Sequence, residues 1–178
     1  VKPTAPFKVA DNLYYVGSEG LSAWLITTPK GHILIDAPME QNVDRIEANV
    51  RALGFKVEDI ELLLNSHAHF DHAAGRTTWT FPLKVDGVVR KAVYYCSTSV
   101  AANRLAPKEQ YKGIVADYRR SFERLAKMRA DVFLAPHAEQ FDLAAKRARL
   151  RDGQPSPFVD PAELGRVVAA SRADFEKA

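Results

Sequence analysis

The sequence contains a single cysteine, Cys96, among 178 residues. One thiol excludes an intrachain disulfide framework and any zinc site built from clustered cysteines. Cys96 lies in the apolar run "AVYYCSTS", which predicts a buried, inert thiol rather than a nucleophile. No apolar run approaches the roughly 20 residues needed to cross a bilayer, so no membrane partner is expected. The first residues, "VKPTAPF", lack the charged head and apolar stretch of a signal peptide; a signal already removed would leave the same start. Charge of one sign is also scarce, with 25 Lys and Arg against 22 Asp and Glu, a net of +3. The densest basic cluster, "AAKRARLRDG", reads as a solvated helix face rather than a nucleic-acid contact. A mildly positive surface suits small anionic substrates. Repeats and low-complexity segments are absent.

What is present suits one folded domain over residues 1–178. A hydrophobic fraction of 47% with 26% charged residues is ordinary for a chain that buries a real core. Residues 12–36 read as β structure: "NLYYVG" and "LSAWLITT" are aromatic and β-branched, and "PKG" turns the chain before "HILID". Val43, Ile46, Val50 and Leu53 recur at helical spacing, and Gly54 ends that helix. "IELLLNSH" is continuously apolar, as expected of a strand buried on both faces. "TTWTFPLKV", the "DG" turn and "VVRKAVYYC" predict a hairpin. A helix over "IVADYRRSFERLAKM", a strand "ADVFLAPH" and two helices flanking "GQPSPFVDP" complete the chain. Grouped strands with helices between them predict an α/β fold, an αββα sandwich.

The chemistry is concentrated in "NSHAHFDHAAG", where three of the five histidines fall within six residues. Neutral imidazole and carboxylate are the ligands zinc takes when thiolates are absent. In an extended segment side chains alternate, so His67 and His69 face one way, onto one ion. A turn after His69 would carry Asp71 and His72 toward a second. Two-metal hydrolytic sites hold their ions roughly 3.5–4 Å apart, within reach of so compact a segment. The cluster follows a predicted strand, and open α/β sheets place their chemistry at strand C-termini. His32, alone in "KGHILID", reads as an ordinary core or surface residue, and Trp24 as a core residue that could also wall the site.

His67-Ala68-His69-Phe70-Asp71-His72 resembles the His-x-His-x-Asp-His signature of the metallo-β-lactamase superfamily. With "NLYYVG", "HILID", "TTWTF", "STSVAANRL", "DYRRSF" and "DVFLAPHAEQFDL", nearly the whole chain is similar to the third subclass of class B β-lactamases. That subclass carries serine where the first subclass has a metal-binding cysteine. The resemblance implies two zinc ions per intact chain. His67 and His69 would bind the first, and Asp71, His72 and His137 the second, with His69 and Asp71 essential for catalysis. Ser97 would occupy the cysteine-replacing position, Ser99 would hold the substrate carboxylate, and Asp36 would orient the metal-binding segment. The implied activity is zinc-dependent hydrolysis of the β-lactam amide by a metal-bound hydroxide, in a periplasmic monomer whose signal peptide has been removed. Alternatives are another hydrolase on this scaffold, acting on thioesters, lactones or phosphodiesters, or an inactive metal-binding relative.

In one respect the chain departs from that pattern. The family's first zinc takes a third histidine from a Gly-His-Thr-Pro-Gly type segment before the "TTW" run. Here Gly75 is followed directly by Arg76-Thr77-Thr78-Trp79. A central segment is therefore expected to be missing between Gly75 and Arg76. Either it belongs to a longer chain and is disordered there, the preferred explanation, or it is truly deleted, in which case one metal site loses a ligand and the protein loses part of its core.

Overall fold

A computed structural model describes residues 2–37, 42–65, 78–100 and 103–178. Five strands form one sheet in chain order: β1 (Phe7–Ala10), β2 (Leu13–Tyr15), β3 (Trp24–Ile26), β4 (His32–Ile35) and β5 (Ile60–Leu64). The first four pair antiparallel, whereas β4 and β5 run parallel with Ile35 opposite Leu64. A parallel pair needs a crossover, supplied here by α1 (Val43–Ala52). Asp44 in its first turn and Arg51 in its last complement the helix dipole. Gly54, at φ +85°, provides the left-handed residue that ends it.

The second sheet has the order β6 (Trp79–Val85), β7 (Val88–Tyr94) and β8 (Val132–Leu134). Asp86 and Gly87 both have positive φ, the geometry of a two-residue hairpin turn that matches strand twist. β7 and β8 are parallel, with Tyr94 opposite Leu134, and α2 (Ile114–Lys127) makes the crossover. α3 (Leu143–Arg151) and α4 (Glu163–Phe175) follow.

Alternation along the strands sorts the layers. Val16, Ala23, Leu25 and Leu34 pack with Ile46 and Val50 of α1 on the outer face of the first sheet. Leu13, Tyr15, Trp24 and Ile35 face the other way, into a larger core with Val93, Tyr94, Phe122 of α2 and Leu164 of α4. Helix, sheet, sheet, helix is the expected sandwich. Trp24 is wholly buried among Tyr15, Phe141 and Phe158, so it is a core residue and not a wall of the site.

Two expectations are overturned. β5 is not buried on both faces: Leu62 is 47% and Leu63 51% exposed. Neighbouring residues point to opposite faces, so both faces of β5 lie open beyond its pairing with β4. The basic helix is not solvated throughout either. Lys146 is buried, its Nζ 2.6 Å from both carboxylate oxygens of buried Glu163 on α4. Phe141 and Phe158 flank the ammonium at 5.4 and 5.5 Å. Desolvation pushes the Lys146 pKa down and the Glu163 pKa up despite their pairing.

Candidate functional site

His67, His69, Asp71 and His72 lie outside the described residues; the structure bears on them through the residues at either side. β5 ends at Leu64, whose carbonyl accepts a hydrogen bond from the Asp36 backbone N–H at 2.8 Å. On the far side, the Trp79 indole Nε1 donates to the Asn65 carbonyl at 3.0 Å. The two residues that bracket the histidine-bearing segment are thus held together at the mouth between the sheets.

Asp36 follows β4 and is fully buried with φ +60°. Left-handed backbone costs a residue with a Cβ about 1–2 kcal/mol, and such strain concentrates where geometry is functional. Its carboxylate Oδ2 accepts a 2.6 Å hydrogen bond from the hydroxyl of Tyr94, the last residue of β7 and also fully buried. The second sheet thereby reaches across to the first at the edge where β5 ends.

His137 comes to this edge from β8. The Pro136 carbonyl accepts from Ser22 N–H at 2.7 Å, and Ala138 N–H donates to the Gly20 carbonyl at 3.2 Å. The His137 backbone is pinned between them and bridges to Leu21. Its half-buried imidazole has Nδ1 4.0 Å from the Glu139 carboxylate.

Ser97 and Ser99 lie just past β7. Ser97 has φ +78°, so the chain turns sharply there. Its Oγ accepts from Ser99 N–H at 3.2 Å and from Gln140 Nε2 at 3.4 Å. Gln140 sits in the 3-10 turn Ala138–Phe141, directly after His137, so one amide ties the His137 turn to the serine corner. The exposed Ser99 is anchored through its carbonyl by the Tyr118 hydroxyl at 3.0 Å, itself held by Asn103 at 2.7 Å. Cys96 is only half-buried, not fully as expected, and its Sγ accepts from Thr78 Oγ1 at 3.2 Å. Both line a cleft with Ser97, Thr98, Tyr118 and Arg124.

Asp36, Asn65, Ser97 and His137 therefore share one edge of the sandwich. Tyr94, Trp79 and Gln140 hold them there, roles that the sequence analysis does not assign to them. Each acts across a separation of 14 to 58 residues, and no local pattern announces such a pairing.

The donor chemistry fits zinc, with one restriction. Among the described residues no group of three His, Cys, Asp or Glu side chains could hold a metal ion. A metal at this edge would therefore draw at least part of its ligand set from outside the described residues. The expected set of Asp71, His72 and His137 would number the three protein ligands a zinc site requires, with Asp71 and His72 outside the described residues. His67 and His69 would need a third histidine, and the only one left is His32. His32 starts β4 while Asp36 follows its end, roughly 13 Å away at about 3.3 Å per residue. It packs edge-on against Phe55 at 5.2 Å and cannot complete that set.

Comparison with known proteins agrees with this geometry. Residues 17–95 match the family model described as metallo-beta-lactamase superfamily. BJP-1, a subclass B3 metallo-β-lactamase of Bradyrhizobium japonicum, is 31% identical with a TM-score of 0.91, covering 99% of this chain and 94% of that one. Native FEZ-1 metallo-β-lactamase from Legionella gormanii is 30% identical with a TM-score of 0.90, covering 99% and 95%. An N-acyl homoserine lactonase from Bacillus cereus is 26% identical over 119 residues, 53% of this chain. The match takes in 47% of that protein, so the chain spans about half the length of this curated relative. The chain belongs to the metallo-β-lactamase superfamily of metal-dependent hydrolases.

Proposed function

We propose that this chain hydrolyses the β-lactam amide bond with zinc held by Asp71, His72 and His137 at the edge described above. A second zinc, on His67 and His69, requires a further ligand from residues this sequence does not contain. The observation that carries the reading is the meeting of four strand ends, β4, β5, β7 and β8, through the Asp36–Leu64 and Tyr94–Asp36 hydrogen bonds and the Tyr94–Leu134 register. His137 thereby lies on the edge from which the His67–His72 segment departs.

When bound, zinc supplies Lewis-acid polarisation of a carbonyl and a water that ionises at about pH 7. The chain's own residues do the rest. Ser97 Oγ accepts two hydrogen bonds, from Ser99 N–H and Gln140 Nε2, which uses both lone pairs and leaves its O–H as a donor. A substrate carboxylate is the natural acceptor, with Ser99 beside it. Removing a hydrogen bond to a charged group costs about 1.5–3 kcal/mol, so Ser97→Ala should raise KM for a β-lactam roughly 10-fold or more with the fold intact. Asp71→Ala should abolish turnover, and unchanged turnover would refute the assignment; His69→Ala should do so only where the second zinc is also held. The setting would be the periplasm, after signal removal, with the protein a monomer; among the described residues no helix is long and apolar enough to cross a membrane.

The lactonase match favours a second reading, hydrolysis of a lactone. Parallel assays with a chromogenic cephalosporin, a lactone and a thioester separate the two. Chelator-sensitive turnover of the cephalosporin alone supports the first reading, and turnover of the lactone alone replaces it. Intact mass settles the central segment: a value near 19.8 kDa supports a deletion, and a clearly larger one a longer protein.

A further inference from the structure

We infer that the cleft beside Ser97 takes the acyl side chain of the substrate, and that Arg124 selects side chains carrying a carboxylate. The inference rests on the β-lactam reading above and narrows its substrate class.

The cleft has a volume of about 470 Å³. Thr78 and Ser97 line it from the second sheet, and Tyr118, Ser121, Arg124 and Leu125 from α2. Tyr118 and Leu125 are buried and give it an apolar floor, so it joins apolar surface to a few polar groups, the usual form of a small-molecule site. Two ionic residues, Asp117 and Arg124, also face it. Asp117 is already engaged, by the Arg120 guanidinium and by the Tyr111 hydroxyl at 3.1 Å. Arg124 is not. Its neighbours three and four residues away are Arg120, Ser121, Lys127 and Met128, so α2 offers it no acid at the spacing where side chains meet. Among the described residues it has no ion pair at all. A guanidinium with its fork free beside apolar surface suits a carboxylate, which it can grip through two parallel hydrogen bonds. Tyr118, whose hydroxyl holds the Ser99 carbonyl at 3.0 Å, comes six residues before Arg124, about 9 Å along the helix. The serine corner and Arg124 are therefore spaced for two separate carboxylates of one ligand, the ring carboxylate at Ser97 and a side-chain carboxylate at Arg124.

The test compares benzylpenicillin with its α-carboxy derivative, which differ only in a side-chain carboxylate. Parent, Arg124→Gln, Arg124→Lys and a control, Arg119→Gln, are measured. Arg119 is exposed on the same helix and does not line the cleft; Arg124 is exposed too, so neither replacement threatens the fold. In the parent KM should be about 10-fold lower for the derivative, the order expected of a hydrogen bond to a charged group. Arg124→Gln should remove most of that ratio, Arg124→Lys should keep part of it, and Arg119→Gln should keep all of it. Added salt should erode the ratio in the parent, because the contact is open to solvent and screened. Equal KM values for the two penicillins in the parent overturn the inference. A ratio that survives in Arg124→Gln, or that falls as far in Arg119→Gln, overturns it as well. Turnover of neither compound by the parent removes the β-lactam reading instead. Calorimetric titration of the same two compounds then decides the cleft: equal affinities overturn the inference, and a preference for the derivative that is lost in Arg124→Gln upholds the anion site.

Discussion

β3 and β5 read alike as sequence and fare differently as structure. Trp24-Leu25-Ile26 and Ile60-Glu61-Leu62-Leu63-Leu64 are both apolar runs in one sheet. β3 is buried throughout, between α1 on one face and the second sheet on the other. Among the described residues β5 pairs only with β4 and leaves Leu62 and Leu63 half in solvent. An apolar run records a demand for cover; whether cover exists depends on residues elsewhere. The open strand is also the one that leads into Gly75–Arg76, where the central segment is expected to be missing.

The comparison breaks most readily on the covered side. Trp24→Ala should cost about 3–5 kcal/mol, as large aromatic truncations in filled cores do, and chemical denaturation reads this directly. A cost below about 1 kcal/mol would mean the core around Tyr15, Phe141 and Phe158 is far looser than its packing suggests.

Cover also makes charge expensive. Lys146→Met alone should destabilise by about 3–5 kcal/mol, because it strands Glu163 as a buried, unpartnered carboxylate. The double variant Lys146→Met with Glu163→Leu should regain most of that, since desolvation here opposes ionisation of both partners. A double variant no better than the single one would show that the pair stabilises α3 against α4 by more than its desolvation costs.

On the open side the effects should nearly vanish. Leu62→Thr and Leu63→Lys should each change stability by no more than about 0.5 kcal/mol, as exposed positions do, while improving solubility. A loss above about 2 kcal/mol in either would show that something covers β5 in solution.

Much of this architecture is legible in the sequence, because periodicity reports local structure. α1, the Asp86-Gly87 hairpin, α2 and the closing helices follow from spacing and turn residues. The short β1 strand does not, since four residues with one exposed lysine carry little pattern. The burial of Lys146 is illegible for another reason: its partner lies 17 residues on, in a separate helix. At the site, residue types were readable and their supports were not. Histidines and a carboxylate crowded together announce metal chemistry by composition. The Tyr94 phenol, the Trp79 indole and the Gln140 amide matter only because folding brings them to Asp36, Asn65 and Ser97.

The most direct test is zinc per chain after equilibrium dialysis, measured on the parent, His137→Ala and His32→Ala. Imidazoles from two remote strand ends sharing a cation predict at least one tightly held zinc in the parent, retained in His32→Ala and lost in His137→Ala. A His137→Ala protein that keeps the parent's zinc, or a parent that holds none, would contradict the account.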